Sequence, residues 1–339
     1  MGSFSIPRGV TLKKKTFCGN YAASVEEFTS EMVGAKSCNI KLLTARAPSW
    51  IKIPVSLALT FGSFETALQD TLNKDIANKI HSLCQLVQHG DHSKLSAIQE
   101  AILKMHAPPY MTNELKHKMI SSRLPWPGDE GEKRWSCAWL AIKKVWASKW
   151  NERAFLSCQK AKLNHESICM AISIQEVICG DYAFVIHTKN PLSGDTTEIY
   201  AEIVKGLGES LAGAYPGRAL TFIVKKTNIK SPIVTNYPSK LTGLYSKKSI
   251  IFRSDSNAED LEGFSGAGIF DSVIMDKVEK VVLDYSRDPI IVDKSFQTSL
   301  LSRIAEAGKI IEDLYGCPQD IEGVVKDGTI FVVQARPQF

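Results

Sequence analysis

SIIFRSDSNAEDLEGFSGAGIFDS, residues Ser249–Ser272, and QDIEGVVKDGTIFVVQARP, residues Gln319–Pro337, are the two stretches that decide how this chain is read. The first opens as an apolar strand that delivers Arg253, at the strand end, into a polar loop punctuated by Gly263, Gly266 and Gly268. Glycines let backbone N–H groups approach a phosphate with no Cβ in the way, so such a loop suits a polyphosphate, with Arg253 adding charge. Asp255, Glu259, Asp260, Glu262 and Asp271 run against that chemistry, and they are expected to face solvent or a metal ion. A glycine-rich loop alone is more often a plain turn.

The second stretch carries a hairpin signal, two β-rich runs flanking Asp327-Gly328. A two-residue turn would set Glu322 opposite Val333 and send Gln334 to the other face of the sheet. A three-residue loop, Lys326-Asp327-Gly328, with Gly328 left-handed in a bulge, instead sets Glu322 opposite Val332 and puts Glu322, Gln334 and Arg336 on one face. The three-residue loop is therefore expected. A carboxylate and an amide oxygen side by side are hard donors suited to magnesium, and an arginine two residues on supplies a fork for a phosphate oxygen. The residues by themselves leave equally open a solvent-facing hairpin with ordinary polar side chains.

The composition sets outer limits. A length of 339 residues allows about two domains. The 44% hydrophobic and 23% charged content is that of an ordinary globular protein. The net charge of +5 is mild, and the lysines are not interleaved with stacking aromatics, so nucleic acid is not an expected partner. No apolar run is long enough for a membrane span, and the opening residues lack the pattern of a secretory signal. The eight cysteines contain no CxxC pair, which points to reduced thiols inside a cell and away from a zinc site.

Along the chain, Gly34-Ala35-Lys36 opens a helix that ends before Pro48, with Lys36 placed to reach a phosphate as a point charge or, as is more frequent for a lone lysine, to be simply solvated. Residues 1–62 read as the first part of the fold, with a strand over Ile51–Thr60 broken by Pro54. Residues 63–123 read as a helical insert, its longest helix carrying Phe64, Leu68, Leu72, Ile76, Ile80, Leu83 and Val87 on one face from Ser63 as N-cap to Gly90. Leu124-Pro125-Trp126-Pro127-Gly128 reads as a linker, ending by residue 129. A second subdomain is expected over 130–248: a long helix with Trp135, Trp139, Trp146 and Trp150 on one stripe, then several strands. The indole stripe suits core packing, with a sugar-stacking platform as the alternative. Gln175-Glu176-Val177 closes a strand where backbone groups could serve an adenine edge, or simply end a sheet. Residues 249–339 hold the phosphate loop, a helix over 297–315 and the hairpin.

Taken together, Gly34-Ala35-Lys36, AIKKVWASKWNERA (Ala141–Ala154), GLGE (Gly206–Glu209), RSDSNAEDLEG and DIEG…VVQARP resemble the nucleotide-binding domain of the pyruvate phosphate dikinase and phosphoenolpyruvate synthase superfamily. Within it they are most similar to the plant α-glucan, water dikinases, which share the order in which RS…AEDL follows the AIKKVWAS-like run. The resemblance covers nearly the whole chain. It implies an α+β, ATP-grasp fold with two subdomains clamping ATP. It implies Lys36, Arg253 and Arg336 as phosphate contacts, Glu322 and Gln334 as ligands of Mg2+, Gln175 and Val177 beside adenine, and Ser265, Gly266 and Gly268 in the loop over the phosphates. It further implies that the β-phosphate passes through a histidine on another domain to α-glucan (starch), with AMP and phosphate released, in the plastid or cytosol of a plant cell. None of the seven histidines here lies in such a motif, so the chain is expected to bind Mg·ATP without phosphorylating glucan by itself.

Overall fold

Two short steps in the chain, Pro54/Val55 and Glu176/Val177, are points at which it leaves one sheet for another. The computed structural model describes residues 12–213, 215–259 and 268–338. They fall into two units. The first takes Met1–Cys38, Val55–Glu176 and Ile250–Met275, the second Asn39–Pro54, Val177–Ser249 and Asp276–Phe339. Pro54 therefore does more than interrupt one strand: Ile51–Lys52 joins the sheet of the second unit and Ser56–Leu59 that of the first. Helices and sheets are mixed in both.

The first unit is built on an antiparallel sheet whose strands run in the spatial order Ala22–Ser24, Ser56–Leu59, Met170–Glu176, Ile250–Ser256 and Ser272–Ile274. Helix Glu132–Ala147 packs on this sheet. Its tryptophan stripe is core: Trp139, Trp146 and Trp150 are buried, and Phe64 lies with its ring centroid 5.5 Å from that of Trp146. Burying indoles removes a large apolar area from water, which is why the sugar-platform alternative fails.

Helices Ser63–Gln69, Lys74–Gln88, Leu95–Leu103 and Pro109–Ser121 contribute to the same apolar cluster, so residues 63–123 are not a separate insert. Leu124 and Trp126 are buried in that cluster too, and the Pro-Trp-Pro-Gly stretch is a packed turn, not a linker. The expected single helix from Ser63 to Gly90 is broken at Thr71–Asn73, where the Asp70 side chain accepts from the Leu72 N–H and leaves Leu72 exposed. Gly62, not Ser63, holds the N-cap position, while the Ser63 hydroxyl donates to the Tyr21 carbonyl at 3.1 Å.

In the second unit the strand order is Ile51–Lys52, Thr329–Pro337, Gln319–Lys326, Tyr182–His187, Glu198–Lys205, Leu220–Lys225 and Ile233–Asn236, all antiparallel except the first pair. One face is covered by helix Lys294–Tyr315, which buries Leu301, Ile304, Ala305 and Ile311 against Ile186, Ile321 and Phe222. Asp293 caps its start by accepting from the Phe296 N–H at 2.9 Å, and Gly316, at φ 69°, ends it. Gly308 lets the helix sit close to the sheet: a Cβ there would lie 2.9 Å from Ile186.

A half-buried imidazole in the first unit gives a pH signature. The His165 ring lies 5.0 Å from Phe155 and 5.9 Å from Trp150, with Nε2 3.0 Å from the Lys149 carbonyl. Burial, reinforced by the Lys149 ammonium, pushes its pKa down to about 4 from 6.5. The unfolded chain therefore holds the extra proton between those values, so the stabilisation is complete above pH 6.5 and drains as pH falls toward 4. Thermal unfolding is expected to show a loss of about 3 kcal/mol across that window, and His165→Gln to flatten it.

Candidate functional site

The helix Ala35–Arg46 begins against a carboxylate from far along the chain. Asp255 is buried, and its two oxygens accept from the backbone N–H of Gly34 at 2.9 Å and of Lys36 at 3.0 Å. The first N–H groups of a helix have no internal partner and carry partial positive charge, so a carboxylate there satisfies both needs. Burial still pushes Asp255 upward, against the lowering effects of Ser37, Lys36 and the two amides. The acidic residues of this segment were expected to face solvent or a metal. Two do neither: Asp255 sits on the helix start, and Glu259, 6% exposed, is ion-paired with Lys36. Asp271 pairs with Arg153 at 2.9 Å.

Lys36 is accordingly held, not solvated. Its ammonium donates to the Ser254 carbonyl at 2.7 Å, to the Ser254 hydroxyl at 3.3 Å and to Glu259. Arg253 lies mid-strand, opposite Ser173 on one neighbour and Ser272 on the other, because the ladder runs on through Ser256. Gln175 is an interior ladder residue between Ser56 and Ile251, and its side chain donates to the Ser56 hydroxyl at 3.1 Å. The strand ends one residue later, at Glu176, and the Val177 N–H is taken by the Ser249 carbonyl at 2.9 Å. Ser265 and Gly266 lie outside the described residues; Gly268 is described, at φ 69°.

The hairpin of the second unit corrects one expectation and reaches the same face by another route. Its turn has two residues, Asp327 and Gly328, both at positive φ (48° and 71°), between Lys326 and Thr329, which pair with each other. A regular ladder from that turn would set Glu322 opposite Val333. A bulge at Glu322/Gly323 instead pairs Gly323 with Val332 and Glu322 with Gln334. The extra residue reverses the inside–outside alternation, so Gln334 leaves the helix-covered face and joins Glu322. Gly323 is required beside the bulge, since a Cβ there would run into the Phe184 ring and the Phe331 carbonyl.

The resulting face has a chemical gradient. Ile178, Ala183, Val204 and Val324 form an apolar floor, with Phe331 and Val333 against it. Next along the strands comes a row containing Gln334, Glu322 and Glu202, and beyond it a row containing Arg336, Asp320, His187 and Tyr200. Arg336 donates from Nε and Nη2 to one Asp320 oxygen, at 2.9 and 2.6 Å. His187 Nδ1 is 3.9 Å from the other Asp320 oxygen. Sequence reasoning missed Asp320, though its spacing two residues from Glu322 on a strand was the available signal. It also missed the roles of Asp255 and Glu259, whose partner lies more than 200 residues away and leaves no local signal.

Among the described residues no group of three or more His, Cys, Asp or Glu side chains could hold a metal ion. Glu322 and Gln334 still fit magnesium, which takes one or two protein oxygens and completes its shell with water and phosphate oxygens. Among the described residues no helix is long and apolar enough to cross a membrane.

The chain belongs to the family described as pyruvate phosphate dikinase, AMP/ATP-binding domain, which matches residues 130–339. It is 65% identical to alpha-glucan water dikinase 2 of Arabidopsis thaliana over 98% of this chain and 26% of that protein. It is 60% identical to the chloroplastic alpha-glucan water dikinase of Solanum tuberosum over 96% of this chain and 22% of that protein. A probable phosphoenolpyruvate synthase of Archaeoglobus fulgidus is 23% identical over 94% of this chain and 41% of its own. The chain thus spans about a quarter of the length of the plant dikinases it matches.

Asp255→Ala leaves two buried N–H groups without an acceptor and removes the counter-charge at the helix start. A loss of about 2–4 kcal/mol in urea unfolding is expected, together with fast amide exchange at Gly34 and Lys36. Slow exchange at both amides in the variant would show that the cap does not hold the helix start.

Proposed function

We propose that this chain is the Mg·ATP-binding part of a plant α-glucan, water dikinase. The observation that carries the reading is the face of the seven-stranded sheet opposite helix Lys294–Tyr315, which passes from an apolar floor through Glu322 and Gln334 to Arg336. A nucleotide has the same order of chemistry, from flat base to metal-bound phosphates. Support also comes from the family match and from the names of the plant relatives.

In this reading the two units are the subdomains of an ATP-grasp clamp. Glu322 and Gln334 hold magnesium, which when bound offsets charge on the phosphate oxygens. Arg336, kept in place by Asp320, contacts a phosphate, and Lys36 and Arg253 supply positive charge from the first unit. The hinge from Gln175 to Val177 lies beside adenine, and the loop containing Ser265, Gly266 and Gly268 covers the phosphates. Phosphoryl transfer asks little covalent chemistry of the protein, so these residues align the phosphates and stabilise equatorial charge. The β-phosphate goes to a histidine of a domain outside this chain and from there to a glucosyl unit of starch; the γ-phosphate goes to water. The compartment is plastid or cytosol.

Calorimetry of the purified chain with Mg·ATP is expected to show binding, and Arg336→Ala or Glu322→Ala to weaken it about 10- to 100-fold, the worth of an interaction with a charged group, with the fold intact. With ATP labelled at the β-phosphate, no acid-labile label is expected on the chain until a phosphohistidine domain is added. Undiminished binding in both variants would overturn the site; label on the isolated chain would overturn the division of labour.

A further inference from the structure

The Lys36 ammonium has three N–H donors, and all are engaged: by the Ser254 carbonyl, the Ser254 hydroxyl and the Glu259 carboxylate. A phosphate can take one of them only by displacing a resident acceptor. The Ser254 carbonyl belongs to a strand and cannot move far, and the Ser254 hydroxyl also donates to Glu259 at 2.7 Å. Glu259 is the acceptor that carries charge and competes with a phosphate for the same cation.

We infer that Glu259 is a displaceable counter-ion, a positioning residue that holds Lys36 ready in the empty protein and takes up a proton when a nucleotide phosphate claims the lysine. The inference rests on the reading of Lys36 as a phosphate contact. Its physical basis is the burial of the carboxylate. The Glu259 side chain is 4% exposed, and the charged groups facing it are Lys36, which stabilises its ionised form, and Asp255, which opposes it. Asp255 cannot compensate, because its own oxygens are committed to the Gly34 and Lys36 amides. Burial already pushes Glu259 upward, with the Lys36 charge and the Lys36 and Ser254 hydrogen bonds the influences that lower it. A phosphate that draws the ammonium away and adds its own negative charge removes the chief support of the ionised form. The proton comes from solvent, and the carboxyl that results can donate to an oxygen where before it could only accept.

The test is calorimetry of Mg·ATP binding to the 339-residue chain at pH 7 in two buffers of different ionisation enthalpy. Because the nucleotide's own protonation change is common to every variant, the quantity read is the difference between proteins. Wild type is expected to take up about one proton per nucleotide more than Glu259→Gln, which keeps size and a hydrogen-bonding oxygen but cannot titrate. Ser254→Ala, which removes one partner of Glu259, is expected to reduce the uptake by leaving more of the carboxyl protonated beforehand, and it serves as an independent arm if Glu259→Gln unfolds. Binding with the same proton count in wild type, Glu259→Gln and Ser254→Ala would overturn the inference while leaving the ATP reading intact. Absence of binding in wild type would overturn both.

Discussion

The contact on which the first unit depends most is the one between the Asp255 carboxylate and the start of helix Ala35–Arg46. A charge buried without partners would cost far more than the unit could absorb, and a helix start buried without acceptors would cost nearly as much. Each supplies what the other lacks. The approach is so close that Gly34 admits no Cβ against Asp255. Residues more than 200 apart in sequence are thereby fixed within hydrogen-bonding distance, and Ser254 and Glu259, either side of Asp255, are carried into place around the Lys36 ammonium.

The second unit solves a different problem, that of giving one sheet two faces of opposite character. Helix Lys294–Tyr315 covers one face with aliphatic contacts, and strict alternation along the strands leaves the other for chemistry. Strict alternation alone would have set Glu322 and Gln334 on opposite sides. A single bulge corrects the parity, and Asp320 then restrains Arg336 on the same surface through two short hydrogen bonds. A guanidinium held by a carboxylate has already given up rotamer freedom, which in the proposed reading lowers the cost of binding a phosphate.

Much of this was legible in the residues. Helix Lys294–Tyr315, the strand-rich run after Ser167 and the hairpin at Asp327-Gly328 all follow from periodicity and turn chemistry, which act over a few residues. The tryptophan stripe declared itself as core by helical spacing. What misled was any inference from local composition to exposure: Leu124-Pro125-Trp126-Pro127-Gly128 has the makeup of a linker and buries Leu124, Trp126 and Pro127, and the acidic run after Arg253 has the makeup of a solvated loop and delivers two buried carboxylates.

By itself the sequence determined helix Lys294–Tyr315 and the strand-rich run after Ser167, that Glu322, Gln334 and Arg336 belong to one hairpin, and which family's motifs the chain carries, because each is written in residues near one another. Tertiary structure alone decided the division into two units that each take three separate segments, the bulge that brings Glu322 and Gln334 to one face, and the partners of Lys36. Those outcomes depend on where distant groups find acceptors once water is excluded, and a desolvated carboxylate chooses its partner by proximity in space, which no local pattern records.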